Sequence, residues 1–351
     1  MHDTTLPEIF VNLSNYKSTN STANSNSEPI KIILIILKAI LSLLCIFFNG
    51  FIIYLVCFKL KHRSYSNFLF LSGAISDFMI GLLSIPFMTV FTSYGFWPLG
   101  EGLCLFWVIN DYSIGTVSIY SLLLMSIHRF RQLKWPLKVN ENMSKEKYAL
   151  IFGKWILIYL FWGLSVILVT RSNFNPENCY FTSTFAYVIS ADSVGYFLPV
   201  IAVFLTNIFV YLELRKNFKK RNIKLGAIKK TRVLKELQTQ INSVSRNLEK
   251  FKGSKDNETT RSRRLDINKE KKAILCIWSI SIFLCVLFSV FCISWPLKAK
   301  CSDCVSDVIL EIGYWMSYIY STFNPVILLI FNNKYRHEFY KTFCCCRLFR
   351  T

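Results

Sequence analysis

Long apolar runs separated by short polar stretches dominate the chain. Runs long enough to cross a bilayer occupy roughly 32 to 58, 66 to 91, 104 to 128, 149 to 170, 186 to 212, 273 to 297 and 305 to 331. At about 1.5 Å of rise per residue, each covers the ~30 Å hydrocarbon core as a helix. The pattern predicts an all-α membrane protein, with a seven-transmembrane helix bundle over 31–331. Residues 1–30 are polar and rich in Asn, Ser and Thr. They lack the basic start and short apolar core of a cleaved signal, so a disordered tail is expected there. After the last run, residues 332–351 open with basic and aromatic residues from Asn332 to Phe343. That stretch predicts a short amphipathic eighth helix lying on the membrane surface. It leads into Cys344, Cys345 and Cys346, candidate palmitoylation sites beside the membrane.

Polar residues inside the runs are the informative exceptions. The third run, extended from Cys104 to Leu137, carries Asp111 near its front and Arg129 about 27 Å further along if helical. A carboxylate at that depth is kept because it faces a wet cavity or a cationic partner, or because it ties two helices together. Asn49 lies at mid-depth in the first run and needs an interhelical hydrogen-bond partner, for which Asp77 in the second run is the candidate. Asp77, Ser118, Ser321 and Asn324 together suggest a polar interior holding either a cation such as Na+ or a water network. Lys38 either snorkels to the outer interface or reaches inward to a pocket. Asp192 sits above Pro199, whose missing N–H predicts a bend, and it faces either Asp111 or the outer interface. Trp155 and Trp162, seven residues apart, read as core or lipid-belt packing.

Charge sets the expected orientation. Between Arg215 and Lys272 there are twenty Lys or Arg against six acids, and Lys59, Lys61 and Arg63 follow the first run. The opposite loops carry only Arg171, Lys298 and Lys300, so the N-terminus is expected outside. The +20 net charge is then mostly a positive-inside pattern and implies no nucleic-acid partner. The third inner loop, 217–267, is expected to continue the flanking helices over Leu212 to Lys224 and Arg261 to Lys272, with a disordered middle around Gly253 to Thr260. Its basic face suits membrane lipids or an intracellular protein. Asn12 and Asn20 head glycosylation sequons in the outer tail. Cys104 and Cys179 both fall on the outer side, where an oxidising compartment favours a disulfide between them, and Cys301 with Cys304 suggests a second, small one.

Chemistry beyond this is sparse. His2, His62, His128 and His337 are scattered, and no nucleophile-base pair, metal set or phosphate loop stands out, so enzymatic activity and a catalytic cofactor are not expected. An odd number of spans without an inverted repeat argues against a transporter.

The order and spacing of these residues resemble rhodopsin-like G-protein-coupled receptors over about 30 to 345. The resemblance rests on Asn49, LSGAISD ending at Asp77, Trp97 before Cys104, Asp111, Arg129 followed by Pro136, Trp155, Pro199 and Asn324-Pro325. Asp111 occupies the amine-anchoring position of the biogenic-amine group. The stretches CLFWVINDYSIGTVSIY and AISDFMIGLLSIPF, with Trp315 and Tyr318, are most similar to histamine receptors of the third and fourth subtypes. The resemblance implies a plasma-membrane receptor in which Asp111 pairs with a small cationic amine between walls of Tyr112, Trp315 and Tyr318, with Asp192 as a further ligand contact. It implies coupling to a heterotrimeric G protein, and to arrestin, through Arg129, His128, Pro136, Asn324 and Pro325, and an allosteric Na+ at the Asp77 network. Four departures stand out. Gly195 falls where histamine receptors of this type carry Glu, His128 replaces the acid before Arg129, Leu328 replaces the tyrosine after Asn324-Pro325, and Cys285-Val286-Leu287-Phe288 stands where CWxP is expected. A neutral His128 cannot hold Arg129 as aspartate does, so ligand-independent signalling is expected.

Overall fold

The computed structural model describes residues 27–60, 64–137, 139, 144–175, 179–181, 184–243 and 255–343. The bundle is built from α1 (Ser27–Tyr54, prolonged by a π turn over Leu55–Lys59), α2 (Tyr65–Tyr94), α3 (Gly100–Lys134) and α4 (Lys145–Asn173). It is completed by α5 (Phe185–Asp192, a π turn over Ser193–Phe197, then Leu198–Ser243), α6 (Lys255–Lys300) and α7 (Asp307–Phe331). A short α8, Asn333–Phe343, follows. Apart from helix, the described residues hold one two-residue ladder, β1 (Phe174–Asn175) antiparallel to β2 (Tyr180–Phe181). Helices α1 to α6 are each long and apolar enough to cross a membrane. The more polar α7 packs against both α1 and α6, which completes the seven-helix bundle of a multi-pass membrane protein.

Local sequence explains the irregularities. The π turns at Ile80–Ser84 in α2 and Ser193–Phe197 in α5 each lie just ahead of a proline, Pro86 and Pro199. Proline offers no N–H to the carbonyl four residues back, so the helix loosens by one residue there instead of snapping. The starts of α2, α5 and α7 are capped by Ser64, Thr184 and Ser306, whose hydroxyls accept from Asn67, Tyr187 and Ile309 N–H groups. Each such cap contributes about 1 kcal/mol. Gly313 lets α7 approach α6 closely, since a Cβ there would stand 3.0 Å from the Phe291 backbone.

α3 is the hub, packing against α2, α4 and α5. One tie at this hub is a buried ammonium. Lys154 of α4 donates from Nζ to Ser72 Oγ (2.9 Å) and to Ser121 Oγ, and Trp155 Nε1 donates to the same Ser72 hydroxyl at 2.9 Å. Hydroxyl acceptors at this depth satisfy a charge that lipid could not. Trp155 and Trp162 differ in setting. Trp155 is half-buried, whereas Trp162 is fully buried, so the lipid-belt option falls away for the second.

Two expectations change. The segment from Lys255 to Thr260 is the start of α6 and not a disordered middle; Lys255 and Glu258 are good helix formers, and the segment runs straight into the Arg-, Lys- and Leu-rich turns that follow. Asn49 donates to the carbonyls of Cys45 (3.0 Å) and Ser321 (3.1 Å), so its tie runs to α7 and not to Asp77. The amphipathic eighth helix is present. Tyr335 is buried and donates to Asn67 Oδ1 at 3.2 Å, and Phe339 and Phe343 pack on Phe51 of α1.

Candidate functional site

At one end of the bundle a disulfide joins Cys104, in the first turns of α3, to Cys179 beside β2. A second disulfide, Cys301–Cys304, closes the turn between α6 and α7 at the same end. Trp97 stacks on Trp107 at 4.8 Å and donates to the Gly100 carbonyl, which fixes the α2–α3 turn over the head of α3.

Below this end lies a narrow cleft, about 360 Å³ of unfilled space counting what opens to solvent, lined by Ile80 of α2, Asp111, Tyr112 and Gly115 of α3, Tyr196 of α5, Phe288 and Phe291 of α6, and Tyr314, Ser317 and Tyr318 of α7. Asp111 Oδ1 accepts a hydrogen bond from Tyr318 at 3.0 Å. Among the described residues no lysine or arginine forms a salt bridge with it. The packing tie considered for Asp111 is therefore a phenol on α7, and the carboxylate keeps its charge unmatched beside an aromatic cavity. Tyr112 lies between two indoles, Trp162 at 4.9 Å and Trp295 at 5.6 Å, and its hydroxyl is 3.3 Å from that of Tyr314.

The remaining residues expected at this site are placed differently. Trp315 is not in the cavity lining. It stands behind Tyr318, ring against ring at 5.5 Å, and donates from Nε1 to Glu311 Oε1 at 3.0 Å. Asp192 is fully buried, which removes the outer-interface option, and neither carboxyl oxygen has a hydrogen-bond partner among the described residues. It too is outside the lining, one turn above Tyr196, which is within it. At Gly195 a Cβ would come within 2.7 Å of Trp162 Cζ2. The indole fills the space that an acid on α5 would use, and its Nε1 donates to Thr116 Oγ1 at 2.9 Å. Tyr196, Phe291 and Tyr314 of the lining were missed as site residues because an aromatic at helical spacing carries no mark that separates a cavity wall from core.

On α6 the Cys285–Phe288 stretch faces two ways. Val286, placed at the expected Trp position by counting back from Pro325, is 57% exposed and faces away from the bundle. The inward aromatic at this level is Phe288, packed between Tyr196 and Tyr320.

Deeper in the bundle a second cleft, about 410 Å³ of unfilled space counting what opens to solvent, is lined by Asn49, Asp77, Ser118, Asn324 and Pro325, among others. Asn324 Nδ2 donates to Asp77 Oδ2 at 3.1 Å. Asn49 Oδ1 and Asp77 Oδ1 are buried with no hydrogen-bond partner among the described residues. The cavity is otherwise apolar, walled by Ile52, Leu69, Leu122, Met125 and Ile280, but the unpaired oxygens of Asn49 and Asp77 with the Ser118 hydroxyl on its polar side are donors that a hard cation such as Na+ takes, so these residues fit that group. Ser321 contributes its backbone carbonyl to Asn49.

At the opposite end Arg129 Nη1 donates to Gln132 Oε1 at 3.0 Å, and His128 is buried edge-on against Tyr65 at 4.8 Å. Pro136 is exposed in the turn after α3, and Leu328 is buried. Asn12, Asn20, His2, His62, Cys344, Cys345 and Cys346 lie outside the described residues.

Comparison with known proteins agrees with this arrangement. Residues 48–328 match the 7 transmembrane receptor (rhodopsin family). The mouse 5-hydroxytryptamine receptor 6 is 30% identical over 302 residues, covering 82% of this chain and 65% of the relative. The chain thus spans slightly under two thirds of that relative's length, as it does for the rat protein of the same name, also 65%. The D(1) dopamine receptor of Carassius auratus is 24% identical over 314 residues, covering 83% of this chain and 82% of the relative. A 5-hydroxytryptamine receptor 2B from Dichotomyctere fluviatilis is 24% identical over 340 residues, covering 85% and 72%. These are receptors and not enzymes, and with most of the bundle matched, this chain belongs to the rhodopsin family of seven-transmembrane receptors.

Proposed function

We propose that the chain is a plasma-membrane receptor, N-terminus outside, that holds a small cationic amine of histamine-like size at Asp111 and signals to a heterotrimeric G protein, with arrestin as a further partner. The observation that carries this reading is the Asp111 carboxylate, bonded to a phenol and opening on an aromatic cavity. An ammonium there gains a charge-assisted hydrogen bond in a low-dielectric setting. The face of Tyr318 adds cation–π attraction of about 1 to 2 kcal/mol, while Tyr112, held between Trp162 and Trp295, offers its edge and hydroxyl. The relatives named for serotonin and dopamine support an amine, and the Trp162 indole over Gly195 argues against an imidazole paired with α5 at that position. Asp192 remains the acid for a ligand's second polar group, reached through a shift of Tyr196. Basic surfaces on α8 and the third inner loop suit anionic membrane lipids, and Asn12, Asn20 and Cys344 to Cys346 are the proposed glycan and palmitoyl acceptors.

The test is a panel of radiolabelled monoamines on transfected cells, with second-messenger and arrestin readouts. Saturable binding with a signal is the expected result. Binding without any signal makes the chain a decoy, and no binding at all removes the amine reading.

Two further outcomes follow from the lower half. His128 stands where the family carries an acid before Arg129, and Arg129 Nη1 donates to the neutral Gln132, so ligand-independent signalling is expected. His128→Asp adds a carboxylate beside Arg129 worth ~1 kcal/mol and is expected to lower the basal signal about fivefold. At the second cavity Asn49, Asp77, Ser118 and Asn324 would hold Na+, whose charge when bound stabilises the ionised Asp77 carboxylate. Replacing choline by Na+ is then expected to shift agonist affinity by at least about fivefold, a coupling of ~1 kcal/mol, and Asp77→Asn to abolish the shift. A Na+ effect that survives Asp77→Asn would place the ion elsewhere.

A further inference from the structure

Lys38 of α1 is the one residue singled out in the first span that the amine reading leaves unused. Its ammonium points into the bundle. Nζ donates to Thr92 Oγ1 of α2 at 2.8 Å and to Glu311 Oε1 of α7 at 3.2 Å, and it lies 4.5 Å from the centre of the Trp315 ring. The receiving groups are fixed in advance. The Thr92 hydroxyl spends its proton on the Met88 carbonyl at 2.9 Å, so its oxygen is left to accept, and Trp315 is oriented by its own N–H bond to Glu311. A carboxylate, a hydroxyl acceptor and an indole face around one nitrogen are the groups that recognise a primary ammonium, the first two by hydrogen bond and charge, the third by its quadrupole.

The cluster is reachable from the disulfide end. Thr92 is in the last turn of α2, Glu311 in the second turn of α7, and the Glu311 side chain is 35% exposed against 14% for Lys38. It also shares a wall with the cavity above Asp111, because Trp315 packs on Tyr318, and Tyr318 donates to Asp111.

We infer that Thr92, Glu311 and Trp315 form an alkylammonium-binding site, filled in this structure by the chain's own Lys38. The ligand class is a primary alkylammonium, presented as the second charge of a diamine or polyamine. A free monoamine competes poorly with a tethered lysine, whose effective concentration is high; a second ammonium on a ligand already anchored nearby is tethered as well and competes on equal terms. Lys38 is therefore the group a dicationic ligand must displace, and its removal opens the site to single ammonium ions as well.

The test vacates the site and refills it. It uses Lys38→Ala in the Asp111→Asn background, so that the result does not depend on whether Asp111 binds amines. The thermal midpoint of the membrane-embedded double variant is measured with ethylammonium chloride and with equal tetramethylammonium chloride, which has the charge but no N–H. A rise of about 2 to 4 °C with ethylammonium alone, lost when Glu311→Gln is added and not seen when Lys38 is present, is expected. Equal shifts with both ions, or a shift that persists in Glu311→Gln, overturns the proposal. If the double variant fails to reach the membrane, growth in ethylammonium is expected to restore it, with Lys38→Ser as a second vacated form. Failure of both forms to recover also overturns the proposal.

Discussion

Asp111→Asn is expected to weaken binding of any protonated monoamine by at least about 30-fold, ~2 kcal/mol, while leaving surface expression unchanged. The side chain keeps its shape and can still accept from the Tyr318 hydroxyl, which donates to Oδ1 in the native chain. What is lost is the negative charge opposite the ligand's ammonium, in a cavity whose aromatic lining offers no other anion. An uncharged isostere of the ligand, with a hydroxyl in place of the amine, is expected to bind wild type and variant alike. Asp192→Asn is the control within the same bundle. Its carboxylate is buried one turn above the cavity lining, so the variant is expected to change monoamine affinity only severalfold. Equal losses at the two positions would mean that the amine sits between the acids and not on Asp111.

The fold was legible because membrane burial imposes a strong pattern. Seven apolar runs of helical length give seven helices, and the acid in the third run lies where counting at 1.5 Å per residue puts it, on the cavity. The polar interior was legible for the same reason, since Asp77 and Asn324 have few ways to be satisfied in hydrocarbon, and Asn324 Nδ2 donates to one oxygen of Asp77. What was not legible was direction around each helix. Trp315 and Tyr318 are three residues apart on α7, close enough to look like one wall, but the first faces Lys38 and the second faces Asp111. Lys154 illustrates a second gap. Its ammonium is held by hydroxyls of Ser72 and Ser121, residues so common in helices that nothing in their spacing marks them as a receiving site.

Gly195→Glu tests that packing directly, and it is expected to be the most damaging single change near the cavity. A Cβ at this position meets Trp162 Cζ2 at 2.7 Å, and Trp162 is fully buried, stacked on Tyr112 and bonded to Thr116, so it has nowhere to move. Overpacking of this kind costs about 1 to 3 kcal/mol, and an unpaired carboxylate buried beside an indole adds several more. Surface expression is expected to fall at least tenfold, or a loss of ~1.4 kcal/mol or more, as read by cell-surface labelling. Trp162→Ala alone is expected to be costly too, about 3 to 5 kcal/mol for a buried tryptophan. The two together are expected to do better than the sum, because the glutamate then occupies the space the indole leaves and finds the Thr116 hydroxyl that Trp162 had used. If the double variant also gains affinity for an imidazole amine over its phenyl analogue, Trp162 is the residue that sets the chemistry of the α5 wall. Strict additivity of the two losses would show instead that Gly195 is required for the backbone of the π turn, and that the indole fills the space only secondarily.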